Sequence, residues 1–218
     1  MPRYQNVSSV IVLVLAFLLV GVMAVSWQAP VAGFQNGATP SGSPLASPVI
    51  GAGAALLTET QVPNSLVVIE DRERSLDEIT ANFSDPVAAR ERFLDWGWKR
   101  NSIRAFNVPA GTSLDPSLID GIYISVHEFG SPQAAAEALV YSLDVQADAT
   151  GLDEMQIDPL GDSSRALYGS VPYGNEITVY VQRDDLLIRL SASSPEGDPR
   201  AQALDLVRAM LEGFPGGS

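Results

Sequence analysis

The chain has 218 residues, 26 acidic against 13 basic, with one histidine and no cysteine. Without cysteine there is no disulfide framework, thiolate metal site, cysteine nucleophile or lipidated N-terminal Cys, and a single histidine excludes a multi-histidine zinc site within one chain. A net charge of −13 opposes binding to nucleic acid or to anionic headgroups, because both need a basic footprint.

The N-terminus opens with an unbroken apolar run, Val10–Val25. As a helix it reaches only about 24 Å, but extended from Val7 to Trp27 it reaches about 31 Å, matching a hydrocarbon core of about 30 Å. Trp27 then falls at the interface, where indole rings are favoured. The competing reading is a cleaved secretory signal, since Val22-Met23-Ala24 and Ala24-Val25-Ser26 both offer small residues for cleavage. Residues 1–27 are therefore expected to be a signal anchor or signal peptide, with residues 7–27 meeting the membrane. Either way the rest of the chain is exported. Arg3 is the only basic residue before Arg72, so the N-terminus stays cytoplasmic by the positive-inside rule.

Residues 28–62 are dominated by Ala, Gly, Pro, Ser and Thr, with Glu59 the only charge. Such a composition buries too little to offset its ordering entropy, and it is expected to be a flexible linker. Within it, Val49-Ile50-Gly51-Ala52-Gly53-Ala54-Ala55-Leu56 imitates a dinucleotide fingerprint. Leu56 stands where the third Gly belongs and Pro48 cuts the strand that should precede it, so no cofactor is implied.

Residues 63–214 are expected to be one exported domain with its own core. The capping box Ser75-x-x-Glu78 predicts a short helix to Phe83. Asp85-Pro86, Ser131-Pro132 and Asp198-Pro199 each join a capping side chain to Pro at the first helical position. They predict helices over Pro86–Trp96, Pro132–Gln146 and Pro199–Glu212, with Gly97 and Gly213 where C-terminal glycines belong. Strands are expected at Leu66–Glu70, Trp98–Val108, Ile119–Phe129, Ser164–Val171, Glu176–Arg183 and Leu186–Ser193, the last three as a meander. Hairpins outnumber crossovers. The fold class is therefore α+β, an antiparallel sheet of about five strands with helices packed on one face.

Strand alternation divides these residues between two faces. One collects Ile122, Ile124, Val126, Leu167, Val171, Ile177, Val179, Val181, Leu186, Ile188 and Leu190 and is the expected core face. The other collects Tyr123, Ser125, His127, Tyr168, Ser170, Thr178, Tyr180, Gln182, Arg189 and Ser191. That face reads either as a solvated sheet surface or as a shallow surface for a ligand or partner. In the second case Tyr123, His127, Tyr168, Tyr180 and Arg189 are the candidate binding residues, with Tyr as anchor and Arg as hydrogen-bond fork.

Catalytic and metal signals are thin. Ser125 and His127 share a face, but spacing alone makes no triad and there is no G-x-S-x-G elbow. Gly161-Asp162-Ser163-Ser164 resembles the nucleophile block of GDS-type esterases, yet no His follows residue 127 to complete it. Asp144, Asp148, Asp153, Glu154, Asp158 and Asp162 lack EF-hand spacing and read as a solvated loop, so no metal ligand is assigned. Arg90, Arg92, Lys99, Arg100 and Arg104 surround Trp96 and Trp98. They read as a solvated helix–strand corner or as a contact for an anionic partner or glycan.

The layout of apolar segment, linker and α+β domain resembles the exported, tethered domains of bacterial envelope lipoproteins and receptor-kinase sensors. Those families often carry Cys, which is absent here, and the likeness is architectural. It implies a membrane-tethered or secreted extracytoplasmic binding module without catalytic activity, facing an extracytoplasmic protein or ligand. The alternatives are an exported serine hydrolase using His127 and a structural subunit of an envelope complex.

Overall fold

The computed structural model describes residues 52–214. The expected N-terminal segment and most of the expected linker lie outside the described residues. Among the described residues no helix is long and apolar enough to cross a membrane.

Side-chain caps set the helix starts. Ser75 Oγ accepts from the Glu78 backbone N–H and the Glu78 carboxylate accepts from the Ser75 N–H, opening α1 (Leu76–Thr80). Asp85 and Ser131 cap α2 (Pro86–Asp95) and α3 (Pro132–Thr150) through the Ala88 and Ala134 N–H groups. The last helix, α4, covers Arg200–Glu212 and is the exception: its N-cap is Pro199 rather than the expected Asp198, and no side-chain bond is made by that N-cap. Gly97, just past α2, has φ +65, a left-handed backbone that glycine adopts without a Cβ clash. Gly213 instead keeps a right-handed φ of −72.

Among the described residues seven strands form one antiparallel sheet: β1 (Val67–Arg74), β2 (Arg100–Asn107), β3 (Gly121–Glu128), β4 (Asp153–Met155), β5 (Ser163–Val171), β6 (Gly174–Arg183) and β7 (Leu186–Ser194). Their order is β1-β2-β3-β7-β6-β5-β4. Two meanders, β1-β2-β3 and β5-β6-β7, thus join side by side where β3 pairs with β7. The α+β class and the antiparallel sheet hold. The sheet has seven strands rather than about five, because all six expected strands join it and the short edge strand β4 forms inside the acidic stretch.

The expectation of helices on one face is corrected. One face packs Ile122, Ile124, Val126, Ile177, Val179, Ile188 and Leu190 against Ala203, Leu206, Val207 and Met210 of α4. The opposite face packs Leu167, Tyr180 and Leu187 against Leu76, Ile79, Phe93, Ala135, Leu139 and Leu143 of α1, α2 and α3. The supposedly solvated face is therefore a second core. Apolar area removed from water drives both layers, at roughly 25 cal/mol per Å².

Residues 52–62, expected to belong to the linker, are also part of the fold. A 3-10 turn at Ala52–Ala55 is followed by buried Leu56, Leu57 and Val62, which join the α4-side core. The segment that imitates a dinucleotide fingerprint thus leads into packed structure, and among the described residues no βαβ unit follows it.

Candidate functional site

The pairing registers decide which candidate residues meet. Tyr123 lies opposite Ser191, Ser125 opposite Arg189, and His127 opposite Leu187 across β3–β7. Arg189 lies opposite Tyr180 across β6–β7. Tyr123, His127, Tyr180 and Arg189 therefore share one face. Tyr168 does not. It pairs with Ile177, lies on the α4 side, and carries the Arg200 guanidinium over its ring at 4.5 Å.

Of the four that meet, Tyr180 is only 2% exposed. Its ring is covered by α3, and its hydroxyl donates to the Ser142 carbonyl at 3.4 Å. Burial raises its pKa, against the opposing pull of Arg189. It forms the wall of a site rather than an open anchor.

His127 sits within a hydrogen-bonded chain that runs from Trp98 to Arg74. The Trp98 indole N–H donates to His127 Nδ1 at 3.2 Å. An indole can only donate, so Nδ1 is an acceptor and the proton of the neutral ring is on Nε2. Nε2 then donates to Ser125 Oγ at 3.2 Å. The same oxygen accepts from Asn101 Nδ2 at 2.8 Å, and Asn101 Oδ1 accepts from Arg74 Nε at 3.1 Å. Burial, reinforced by the positive charges of Arg74 and Arg189, holds the His127 pKa down to about 3. The arrangement reverses a nucleophile–base pair. The imidazole lone pair is spent on Trp98, the hydroxyl oxygen receives a proton donor, and an indole occupies the place of the orienting carboxylate.

Beyond His127 the face carries two cations around one ring. The Arg74 guanidinium carbon stands 5.9 Å from the Tyr123 ring centroid and that of Arg189 stands 5.4 Å from it. Arg189 is also 6.0 Å from the Tyr180 ring, and its Nε donates to Ser191 Oγ at 3.3 Å. Among the described residues Arg74, Arg189 and Arg92 have no carboxylate within 4.0 Å, unlike Arg72, Arg90, Arg100, Arg104, Arg165, Arg183, Arg200 and Arg208; of the three, Arg92 lies elsewhere, over the Tyr141 ring. Arg74, Tyr123 and Arg189 are half-buried. Beside them Ser191 and Thr178 share a hydroxyl contact at 2.8 Å, and Thr178 donates to Glu176. Glu176 also accepts the hydroxyl of Tyr173, whose pKa is raised by burial and by that carboxylate.

Arg74 was missed because the first strand was expected to stop at Glu70. The strand continues, and its register shifts between Val68 and Glu70. That bulge leaves Ile69 outside the ladder and turns Glu70, Arg72 and Arg74 to the Tyr123 face.

The other candidates dissolve into pairs. In the basic corner Arg90 pairs with Asp77, Lys99 with Asp185 and Glu128, Arg100 with Glu128, and Arg104 with Asp71. Arg92 lies over the Tyr141 ring at 4.5 Å. In the acidic stretch Glu154 holds Arg165 through both carboxylate oxygens, and Asp162 accepts from the Asp184 N–H. No cluster of three metal-ligating side chains occurs among the described residues.

No protein-family model matches this sequence, and no curated protein matches it. Among solved structures the chain is similar to the extracellular domain of PknH from Mycobacterium tuberculosis. The TM-score is 0.51 at 11% identity, over 74% of this chain and 93% of that one. At this identity the likeness shows a shared fold.

Proposed function

We propose that this protein is a membrane-tethered or secreted extracytoplasmic binding module without catalytic activity, and that it binds through the Arg74–Tyr123–Arg189 face. The observation that carries the reading is that two half-buried guanidiniums, neither with a carboxylate partner among the described residues, flank Tyr123. In a chain with twice as many acids as bases, cations left without counter-charge point to a function outside the fold. The apolar N-terminal run supports the extracytoplasmic placement, as does a fold shared with a domain described as extracellular. The hydrogen-bond direction at Ser125–His127 favours binding over serine hydrolysis.

Two measurements test the reading. Protease added to intact spheroplasts digests the domain if it lies outside, and full protection would refute the topology. The immobilised full chain and its Tyr123→Ala/Arg189→Gln variant are then presented with solubilised envelope material. A species held by the former and lost by the folded variant is the expected result, and identical retention would refute the assigned face.

A further inference from the structure

Resting on that reading, we infer that Arg74 and Arg189 together form a binding site for a small oxyanion, a carboxylate or a phosphate. Both guanidiniums are tied down through Nε alone, Arg74 to Asn101 Oδ1 and Arg189 to Ser191 Oγ. Their outer Nη groups have no acceptor among the described residues, and none of these nitrogens is sealed away from solvent. A guanidinium fixed at Nε presents its Nη groups in a set plane, the geometry that pairs with two oxygens of one anion.

The mounting is rigid. Asn101 is fully buried, bonded to Ser125 and to the Val126 carbonyl, so the Arg74 head is held by the interior rather than by solvent. Ser191 is likewise held by Thr178. Two like charges close to one ring repel each other, against the cation–π attraction that each makes with the ring. An oxyanion between them removes the repulsion and supplies charge-assisted hydrogen bonds. Glu176 lies on the same face but pairs with neither arginine among the described residues, its oxygens accepting from Tyr173 and Thr178.

The test is calorimetric titration of the full chain, in non-ionic detergent at low salt, with inorganic phosphate and separately with succinate. Saturable binding of at least one is expected, and the two arms tell which oxyanion fits. Arg74→Gln and Arg189→Gln should each weaken it about tenfold or more. Arg189→Lys should weaken it as well, since the charge stays but the fork is lost. Arg208→Gln, at an exposed pair with Asp205 on α4, should leave it unchanged. If a Gln variant fails to fold, protection of Arg74 and Arg189 from phenylglyoxal by the same anions in the unmodified chain gives the answer. No saturable binding of either anion, or binding indifferent to both Gln changes, overturns the inference. Envelope material still retained through Tyr123 and Arg189 in that case would leave the binding-module reading standing.

Discussion

Truncating Tyr180 asks whether the second face of the sheet is a core. The side chain is 2% exposed and packs among Leu139, Leu143, Leu167 and Leu187. Replacing it with Ala removes an aromatic ring from a filled layer, where lost transfer energy and the residual cavity together cost about 3–5 kcal/mol. The hydroxyl contributes little, because its bond to the Ser142 carbonyl is long at 3.4 Å. Tyr180→Phe should therefore cost under about 1 kcal/mol. Val67→Ala, at a residue 42% exposed on the edge strand, should change stability by no more than about 0.5 kcal/mol. Urea unfolding followed by tryptophan fluorescence reads all three, since Trp96 and Trp98 pack in this same layer. Shifted midpoints with unchanged slopes are expected. A Tyr180→Ala cost within about 1 kcal/mol would mean that α3 does not cover this face.

Leu57 is 1% exposed, so Leu57→Ala should cost about 2–5 kcal/mol by the same unfolding assay. A neutral result would return residues 52–62 to the linker. The sole histidine gives a single imidazole signal by NMR, and His127 should show no titration midpoint above about pH 4; a midpoint near 6.5 would contradict the Trp98–His127–Ser125 chain. Linkage fixes the sign of the stability effect. Below about pH 6.5 the unfolded chain takes up a proton that folded His127 refuses, so stability falls as pH drops, by up to about 1.4 kcal/mol per pH unit until about pH 3. Glu78, lowered to about 2 chiefly by the Ser75 N–H and then by Arg72, contributes stability that is lost only below about 4.5. Between pH 6.5 and 5 the slope should therefore disappear in His127→Gln, and an unchanged slope there would refute the assignment.

Much of this fold is written in local chemistry. Asp85, Ser131 and the Ser75/Glu78 box start helices where capping requires it, and the β5–β6–β7 meander follows from alternation and turn residues. What alternation cannot supply is whether the second face is covered. Thr178, Tyr180 and Gln182 read as a solvated stripe, yet all three are buried, Tyr180 beneath α3. Their polar tips find partners in Ser191, Ser142 and Asp184, and such pairing makes a polar strand face compatible with burial. Tyr168 was misplaced because β5 is apolar on both sides. The hairpin register Val171–Gly174 sets Leu167 opposite Thr178 and Tyr168 opposite Ile177. Arg74 was illegible for another reason. One bulged residue, Ile69, reverses the strand's parity, and no composition signal marks a bulge.

In the proposed reading Arg74 and Arg189, without carboxylate partners among the described residues, face the outside of the cell and are open to an anion. A membrane-impermeant, sulfonated phenylglyoxal applied to intact spheroplasts, with modified peptides identified by mass spectrometry, tests location and availability together. The account predicts modification at both arginines, slowed by whichever of phosphate or succinate binds the purified chain. Leaving Arg74 and Arg189 untouched while the reagent reaches other arginines of the domain, or failing to label the domain at all, would contradict it.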